Sequence, residues 1–339
     1  MINFGIVGCG HISRKHASAL KDIPATRLVA VCDVDCQRML PMVREYDAVP
    51  YTDYYQFLGH PGLDAVIICI PSGLHASMAE EAAAAGKHVL VEKPLVLNVQ
   101  DGKRLLEICR AKGVKLGVVH PNRAKHAVRA LKEALGRGWF GKITHADAVL
   151  RWNRNPEYFR SAPWRGTRKL DGGILFNQAI HNIDLFTWLL GPAEEVFAYG
   201  ATRVHDIQCE DVCVCVLKMG SGALGVIEAA VTVYPQNLEE SIAIFGSHGT
   251  AVLGGRTLSE VREWRFSCLS LEESAQQVDS LNSTPDSPGH LAILRDFVSA
   301  IAYNREPMVT GDQALKTLCL IRAIYQSMER GRPVQVRYD

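Results

Sequence analysis

Residues 2–13, INFGIVGCGHIS, decide the fold. An apolar run at 2–7 leads directly into Gly8-Cys9-Gly10, and a helical pattern follows from residue 11. Such a strand, loop and helix are typical of the first unit of a parallel α/β sheet that binds a dinucleotide. The first glycine makes the tight turn, and the second lets a pyrophosphate approach the backbone. Ser13 stands where a third glycine is usual, and it is small enough for close packing of helix against strand.

The first 120 residues alternate between short apolar runs and helical stretches. The apolar runs lie at 2–7, 27–32, 64–70, 87–92 and 115–119, and the helical stretches at 11–21, 35–46, 53–58, 74–85 and 98–113. The Val and Ile runs lack polar alternation, which indicates strands covered by helices on both faces. The pattern predicts a doubly wound parallel sheet, a Rossmann domain, over residues 1–120.

After residue 120 the apolar runs become longer and alternate with polar residues. They predict strands at 143–152, 195–204, 211–218, 223–233 and 240–246, helices at 124–137, 174–190, 289–303 and 311–330, and a surface loop at 267–288. We therefore expect residues 121–339 to form an α/β domain with a large open mixed or antiparallel sheet. Because an open sheet of long strands needs a cover on its second face, this sheet is expected to form a homodimer or homotetramer.

The composition is that of a globular protein. Of the 339 residues, 47% are hydrophobic and 22% are charged, and the net charge of +1 argues against a general nucleic-acid binder. No apolar run reaches the roughly 18 residues of a membrane span, and the first residues do not resemble an export signal. We expect a cytoplasmic protein that binds no membrane. The ten cysteines form no Cys-x-x-Cys pair, which favours buried, reduced thiols.

A carboxylate follows the second predicted strand. Asp33 comes 23 residues after Gly10, where a carboxylate can accept both ribose hydroxyls of an adenosine. It would repel a 2′-phosphate, and no Arg follows it directly, so NAD is favoured over NADP. We expect the cofactor to contact Gly8, Gly10, His11, Ile12 and Asp33. The structural alternative makes the glycines simple turn residues and Asp33 a strand-end cap.

Two further motifs point to a family. Glu92-Lys93-Pro94 ends the strand at 87–92, and Gly172-Gly173-x-x-x-Asn177-x-x-x-His181-x-x-Asp184 lies in the second domain. Together with the glycine loop and Asp33, they resemble the Gfo/Idh/MocA oxidoreductases over essentially the whole chain. The resemblance implies a nicotinamide cofactor on the Rossmann domain and a second domain that completes the active site and forms the oligomer.

The resemblance also implies catalytic roles. Lys93 would contact the reacting hydroxyl, and His181 would be the acid/base or its partner. Oxidising an alcohol requires a base near that oxygen, which suits imidazole, or lysine when it is desolvated. Asn177 stands where many members carry Asp; it cannot accept a proton, so it can only orient substrate or lysine. Two segments, Asn177-Gln178 and Trp164-Arg165-Gly166 upstream, resemble the nucleotide-sugar 3-dehydrogenases of the family more than the members that carry Asp at position 177.

Other positions match the family pattern less specifically. Pro71, Ser72 and His75 are expected near the cofactor, with Glu92 and Lys93, although His75 is equally suited to opening a helix. Arg123, in Val119-His120-Pro121-Asn122-Arg123, and His290 are expected to approach substrate. Asp184 lies on the helical face of His181 and is expected to orient its imidazole or to contact substrate; the alternative is a charge on the helix surface. No metal site is expected, because His181 and Asp184 lack a third ligand at a recognisable spacing.

Residues 151–169 carry six basic side chains against one acid, Glu157, a net charge of +5. Guanidinium groups bind phosphates and carboxylates bidentately, while Trp164 and Tyr158 offer faces for a sugar or base. The segment therefore predicts an anionic substrate, with Arg165 among its ligands. In the alternative, these arginines are solvated or paired with acids of another subunit.

The motifs predict an NAD-dependent dehydrogenase, and the resemblance implies that it oxidises a sugar hydroxyl, most specifically C3 of a UDP-linked amino sugar or uronate, with hydride transfer to nicotinamide C4. Three alternatives stay open. The substrate is inositol or a free sugar, the reaction is NAD-assisted glycoside cleavage, or the protein is a non-catalytic regulator that senses NAD or another ligand.

Overall fold

The computed structural model describes residues 1–338 and divides the chain into two compact units. The first unit holds residues 1–121 and 287–315, and the second holds 122–286 and the residues from 316 onward. This division differs from the predicted one, because residues 287–315 return to the first unit instead of continuing the second.

The first unit is built on a six-stranded parallel sheet. Its strands are β1 (Ile2–Val7), β2 (Thr26–Cys32), β3 (Val49–Tyr51), β4 (Ala65–Ile68), β5 (His88–Glu92) and β6 (Leu116–Val119). Its helices are α1 (His11–Lys21), α2 (Cys36–Tyr46), α3 (Tyr54–Leu58), α4 (His75–Ala84), α5 (Val99–Lys112) and, late in the chain, α11 (Gly289–Ala302). The strand order β3-β2-β1-β4-β5-β6 reverses direction between β1 and β4, which confirms the doubly wound fold.

Helix α11 completes this unit by packing against α1 and β6. Gly117 in β6 makes room for it, because a Cβ there would lie 2.8 Å from the Phe297 ring. Thr310 adds a bridge to Gly117. The six strands therefore depend on residues far along the chain for part of their cover.

The second unit is built on an eight-stranded mixed sheet. Its strands are β7 (Ile143–Arg151), β8 (Ala193–Ala201), β9 (Val212–Met219), β10 (Leu224–Ala230), β11 (Glu239–Gly246), β12 (Gly249–Gly254), β13 (Glu260–Phe266) and β14 (Val334–Gln335). Its helices are α6 (His126–Gly136), α7 (Pro156–Arg160), α8 (Ile174–Asn177), α9 (Ile180–Leu190) and α10 (Leu271–Ser283), with most of α12 (Gly311–Arg330). β7 and β10 pair in parallel and the other neighbours are antiparallel, so the prediction of a second α/β domain with a mixed sheet is confirmed.

The two faces of this sheet differ in character. Helix α9 packs against β7 and β11, and inward residues such as Cys213, Cys215 and Leu217 are buried. The alternate residues of β8, β9 and β10 point outward and leave apolar side chains exposed, namely Tyr199, Val214, Val216, Leu224 and Val226. The strands therefore carry apolar residues on both faces.

Two predicted elements are wrong. The expected helix at 174–190 is two helices, α8 and α9, separated by a wider turn at Gln178 and Ala179, where the Ala179 N–H donates to the Ile174 carbonyl oxygen five residues back. The expected loop at 267–288 contains helix α10, which Ser270 and Glu273 begin with a reciprocal capping box. Among the residues described, no helix is long and apolar enough to span a membrane.

Candidate active site

The glycine loop has the backbone that its sequence predicts. Gly8 has a φ of +86°, and a Cβ there would lie 2.4 Å from the Cys69 carbonyl oxygen, so only glycine fits the turn. Gly10 precedes α1, and a Cβ there would meet nothing within 4 Å. The Ser13 hydroxyl donates to the Gly10 carbonyl oxygen at 2.6 Å and is buried beneath the loop. The open space over Gly10 suits a pyrophosphate at the helix N-terminus.

Asp33 lies beside this loop. Its Oδ2 accepts the Cys9 backbone N–H at 2.7 Å, and its Oδ1 accepts the Asp35 N–H at 2.9 Å. These bonds fix the carboxylate, and each oxygen keeps further acceptor capacity for ribose hydroxyls. The residues therefore fit a dinucleotide with a free adenosine ribose. His11 and Ile12 open α1, and their predicted contacts with the cofactor stay predictions.

The loops after β4 and β5 are tied together by His75. Its Nδ1 lies 2.7 Å from the Pro94 carbonyl oxygen and its Nε2 lies 2.9 Å from the Ile70 carbonyl oxygen. Burial lowers the pKa of this imidazole. His75 opens α4, as the structural alternative proposed, and it also holds the Lys93–Pro94 segment, whose peptide bond is cis. Ser72 is buried in the same loop, and its role with Pro71 toward the cofactor stays a prediction.

Glu92 is surrounded by hydrogen-bond donors. Its Oε1 lies 2.7 Å from His16 Nε2 and 3.5 Å from His290 Nε2, and its Oε2 accepts the Lys93 backbone N–H at 3.2 Å. Burial alone would raise the pKa of Glu92, but the hydrogen bonds from the two histidines outweigh it and hold the pKa well below its usual range. The sequence pattern did not single out His16.

In the second unit, Asn177 is oriented by an acid. Its Nδ2 donates a very short hydrogen bond to Asp171 Oδ1, and Asp171 Oδ2 accepts the Gly166 backbone N–H at 2.7 Å. Asp171 is buried and joins Asn177 to the Trp164-Arg165-Gly166 turn. The amide of Asn177 therefore donates to a carboxylate, which an Asp at the same position could do only when protonated.

Gly173 precedes α8, and the side chains of Glu210 and Tyr325 lie against it. Gly173 has a φ of +109°, and a Cβ there would lie 2.3 Å from the Tyr325 hydroxyl and 2.8 Å from the Glu210 carboxylate. Glu210 accepts the Leu175 backbone N–H at 3.2 Å and the Tyr325 hydroxyl at 2.7 Å. Burial raises the pKa of Glu210. Only glycine therefore fits at position 173, because an acid and a phenol crowd the start of α8.

Asp184 and Arg123 form a buried pair. Arg123 Nε and Nη2 donate to the two Asp184 oxygens, both at 2.7 Å, and the Thr317 hydroxyl lies 3.2 Å from Asp184 Oδ1. Arg123 is 1% exposed and Asp184 is 0% exposed, so the alternative of a surface charge for Asp184 is wrong. The roles of Arg123 and Asp184 toward substrate or His181 stay predictions.

The arginines of residues 151–169 divide into three groups. Arg151 forms ion pairs with Glu228 and Glu239, and Arg160 with Glu157, whereas Arg168 is exposed and donates to the Gln208 carbonyl oxygen. Arg154 and Arg165 have no carboxylate partner among the residues described.

Arg154 and Arg165 instead lie on aromatic rings. The Arg165 guanidinium carbon is 4.1 Å from the Tyr158 ring centroid and 4.7 Å from that of Trp164. Arg154 lies 5.1 Å from the Tyr158 ring and 4.6 Å from that of Trp152. The Tyr158 hydroxyl accepts a hydrogen bond from Gln178 Nε2 at 2.9 Å. Both Nε atoms of these arginines are buried without a hydrogen-bond partner in the described chain, and burial lowers the pKa of Arg154. We call Arg154, Arg165, Tyr158 and Trp164 the arginine cluster.

The predicted site residues therefore fall into two sets. Lys93 and the cofactor residues belong to the first unit, with His290 beside Glu92, while Asn177, His181, the buried pair and the arginine cluster belong to the second. That Lys93 and His181 act at one site stays a prediction.

Comparisons with known proteins identify the two parts. Residues 2–120 match the model of an oxidoreductase family with an NAD-binding Rossmann fold, and residues 128–252 match the GFO/IDH/MocA C-terminal domain. The first match contains all six strands of the parallel sheet, so the prediction of an NAD-binding Rossmann domain is confirmed.

Individual relatives cover essentially the whole chain. The structure of the WlbA dehydrogenase from Bordetella pertussis in complex with NADH and UDP-GlcNAcA is 35% identical, with a TM-score of 0.93 over 100% of this chain and 98% of that one. The WlbA dehydrogenase from Chromobacterium violaceum, bound to the same two ligands, is 34% identical, with a TM-score of 0.94 over 100% and 96%. Among sequence relatives, myo-inositol 2-dehydrogenase of Thermotoga maritima is 31% identical over 99% of this chain and 96% of its own length.

Proposed function

Since the chain belongs to the GFO/IDH/MocA family of NAD-dependent oxidoreductases, we propose that this sugar dehydrogenase oxidises C3 of a UDP-linked amino sugar or uronate. Its relatives over the full length include dehydrogenases, which sets aside the non-catalytic regulator. The observation that carries the proposal is the arginine cluster, in which two guanidinium groups lack a carboxylate partner in the described chain.

The arginine cluster favours an anionic ligand for an electrostatic reason. A cation removed from water is costly unless an anion compensates it, and the aromatic rings around Tyr158 compensate only part of that cost. Arg154 and Arg165 lie on the same Tyr158 ring, so one extended anion can reach both. A diphosphate or a uronate carboxylate supplies that charge. The two WlbA dehydrogenases, which bind UDP-GlcNAcA, support the same substrate class.

The second candidate is oxidation of an inositol. It is favoured by the myo-inositol 2-dehydrogenase that matches this chain over almost its full length. An uncharged polyol leaves the arginine cluster without a counter-ion, so the two candidates differ in what they require of Arg154 and Arg165. A thermal-shift panel with NAD present, comparing UDP-linked sugars, uronates, inositols and free hexoses, separates them, because a bound ligand raises the melting temperature.

The catalytic step assigns one role to each of three side chains. Bound NAD⁺ supplies the hydride acceptor at C4 of its nicotinamide ring. Lys93 contacts the reacting hydroxyl and takes up its proton, His181 is the acid/base partner of Lys93, and Asn177 orients substrate or lysine with the amide that Asp171 holds.

Removing the arginine cluster charges is expected to weaken binding of the charged substrate. Arg154→Gln and Arg165→Gln should each raise KM for UDP-N-acetylglucosaminuronic acid tenfold or more, which corresponds to about 1.4 kcal/mol per decade. KM for NAD⁺ should stay within twofold, because the cofactor residues lie in the other unit. Arg168→Gln is the matched control, since that side chain is exposed, and it should change either KM by less than threefold. Unchanged KM values in the two cluster variants would contradict an anionic substrate.

Association of chains through the second sheet is also proposed. The outward residues of β8, β9 and β10 form an exposed apolar face that a second copy of the sheet would cover. We expect a dimer or tetramer by sedimentation at micromolar concentration, and Val216→Lys, at the centre of that face, should shift it toward monomer. A wild-type monomer would argue against this assembly.

A further inference from the structure

Three titratable side chains from distant parts of the chain meet in the first unit. His16 comes from α1, Glu92 ends β5, and His290 lies at the start of α11. We call them the His–Glu–His cluster. Both imidazole Nε2 atoms approach the same carboxylate oxygen, and the rings of His16 and His290 meet edge to face with centroids 5.2 Å apart. The His16 side chain is fully buried, and that of His290 is 20% exposed.

The tautomer of His16 follows from its surroundings. Its Nδ1 is buried without a hydrogen-bond partner among the residues described, so a proton on that atom would be unsatisfied. The favoured tautomer carries its proton on Nε2 and donates it to Glu92. A metal ion on Nε2 would move the proton to Nδ1, where metal-bound histidines need an acceptor. The cluster is therefore arranged for hydrogen bonding to a carboxylate rather than for metal binding.

The Glu92 carboxylate in turn fixes the backbone of Lys93. A buried carboxylate stays ionised only when donors surround it, and here the donors are the two imidazoles and one backbone N–H. That N–H belongs to Lys93, which donates to Glu92 Oε2 at 3.2 Å. On the other side, His75 holds the Pro94 carbonyl oxygen. The backbone at Lys93 is thus fixed from both directions.

We propose that His16 and His290 are positioning residues for Lys93, which act by holding Glu92 ionised and in place. The proposal rests on the proposed catalytic role of Lys93. A reacting group must be held to within a fraction of an ångström, and a displacement of about 1 Å can cost a hundredfold in rate. Removal of one donor lets the carboxylate move or take up a proton, and the Lys93 N–H then loses its acceptor. The side chains themselves need touch neither substrate nor cofactor.

The first test is a split between kcat and KM. His290→Leu should lower kcat for UDP-N-acetylglucosaminuronic acid at least tenfold and leave KM for NAD⁺ and sugar within twofold. His290→Gln, whose amide can replace the Nε2–H donor, should keep kcat within threefold of wild type. His16→Leu and His16→Gln should behave in the same way. If His290 contacted substrate, as its sequence position predicts, His290→Leu would raise KM, and that result would overturn the proposal.

The second test does not depend on turnover. In ¹⁵N-lysine-labelled full-length protein, the Lys93 amide is the signal that disappears in Lys93→Met. Its proton resonance should move upfield in both Leu variants and keep its wild-type position in both Gln variants. An unmoved signal in all four variants overturns the proposal, as does a stoichiometric divalent ion in the purified protein whose removal by chelator lowers activity. If none of the sugars tested supports reduction of NAD⁺ by the wild type, the proposed function fails. The Lys93 amide signal still shows in that case whether His16 and His290 position Lys93.

Discussion

Replacement of Lys93 by Met is expected to lower kcat about a thousandfold. Lys93 follows β5 at the carboxyl end of the parallel sheet, where ligands of doubly wound folds bind. Proton transfer by a positioned side chain contributes about 10² to 10⁴ in rate, and Met has no group that can carry a proton. NADH affinity, measured by fluorescence titration, should change by less than threefold, because the glycine loop and Asp33 are untouched.

One further variant separates the proton of the Lys93 side chain from its charge, and a second serves as a control. Lys93→Arg keeps the positive charge but cannot release its proton near neutral pH, so it should be almost as inactive as the Met variant. Lys112→Met changes an exposed lysine at the end of α5 and should retain wild-type kcat. Activity of Lys93→Met within tenfold of wild type would exclude Lys93 as the group that moves the proton.

Asn177→Asp is expected to destabilise the protein. The substitution places a second carboxylate within hydrogen-bond distance of buried Asp171, and two such groups cannot both ionise without strong repulsion. We expect a loss of about 2–3 kcal/mol of unfolding free energy at pH 8, measured by urea denaturation.

The pH dependence of this variant has a definite sign. Below the pKa of an unfolded Asp, near 4, both carboxyl groups are neutral and the deficit is small. As the pH rises, the unfolded state releases a proton that the folded pair keeps, so the deficit grows between pH 4 and pH 8. The swap Asp171→Asn with Asn177→Asp restores one acid and one amide and should recover most of the stability. Equal stability of wild type and the single variant at pH 8 would show that Asp171 does not hold Asn177.

The fold could be predicted from the sequence wherever burial leaves a local pattern. The Val and Ile runs of β1, β2, β4, β5 and β6 mark strands covered on both faces. β3 has three residues, two of them exposed, and leaves no such pattern. Helix α10 lies in a stretch whose Ser, Asp, Gln and Pro content is typical of a surface loop, and its helical start depends on the short Ser270–Glu273 capping box.

The contact of Asp33 with the glycine loop could be predicted because a fixed spacing connects Gly10 to Asp33. The positioning residues could not, since His16 lies 76 positions from Glu92 and neither residue indicates the other. Glu210 and Tyr325 were missed for the same reason. The charge of residues 151–169 predicted an anion site, but only the fold distinguishes Arg151, which has acidic partners, from Arg154, which has none in the described chain.

The return of residues 287–315 to the first unit has a consequence for synthesis on the ribosome. When the first 121 residues have emerged, all six strands of the parallel sheet exist, yet Phe297 and the rest of α11 have not been translated. The nascent sheet must wait, with β6 and part of α1 uncovered, until residues 287–315 have been made. The nucleotide-binding half of this enzyme is therefore started first but is not complete until residue 315, and a gene fragment that ends at residue 121 does not encode it.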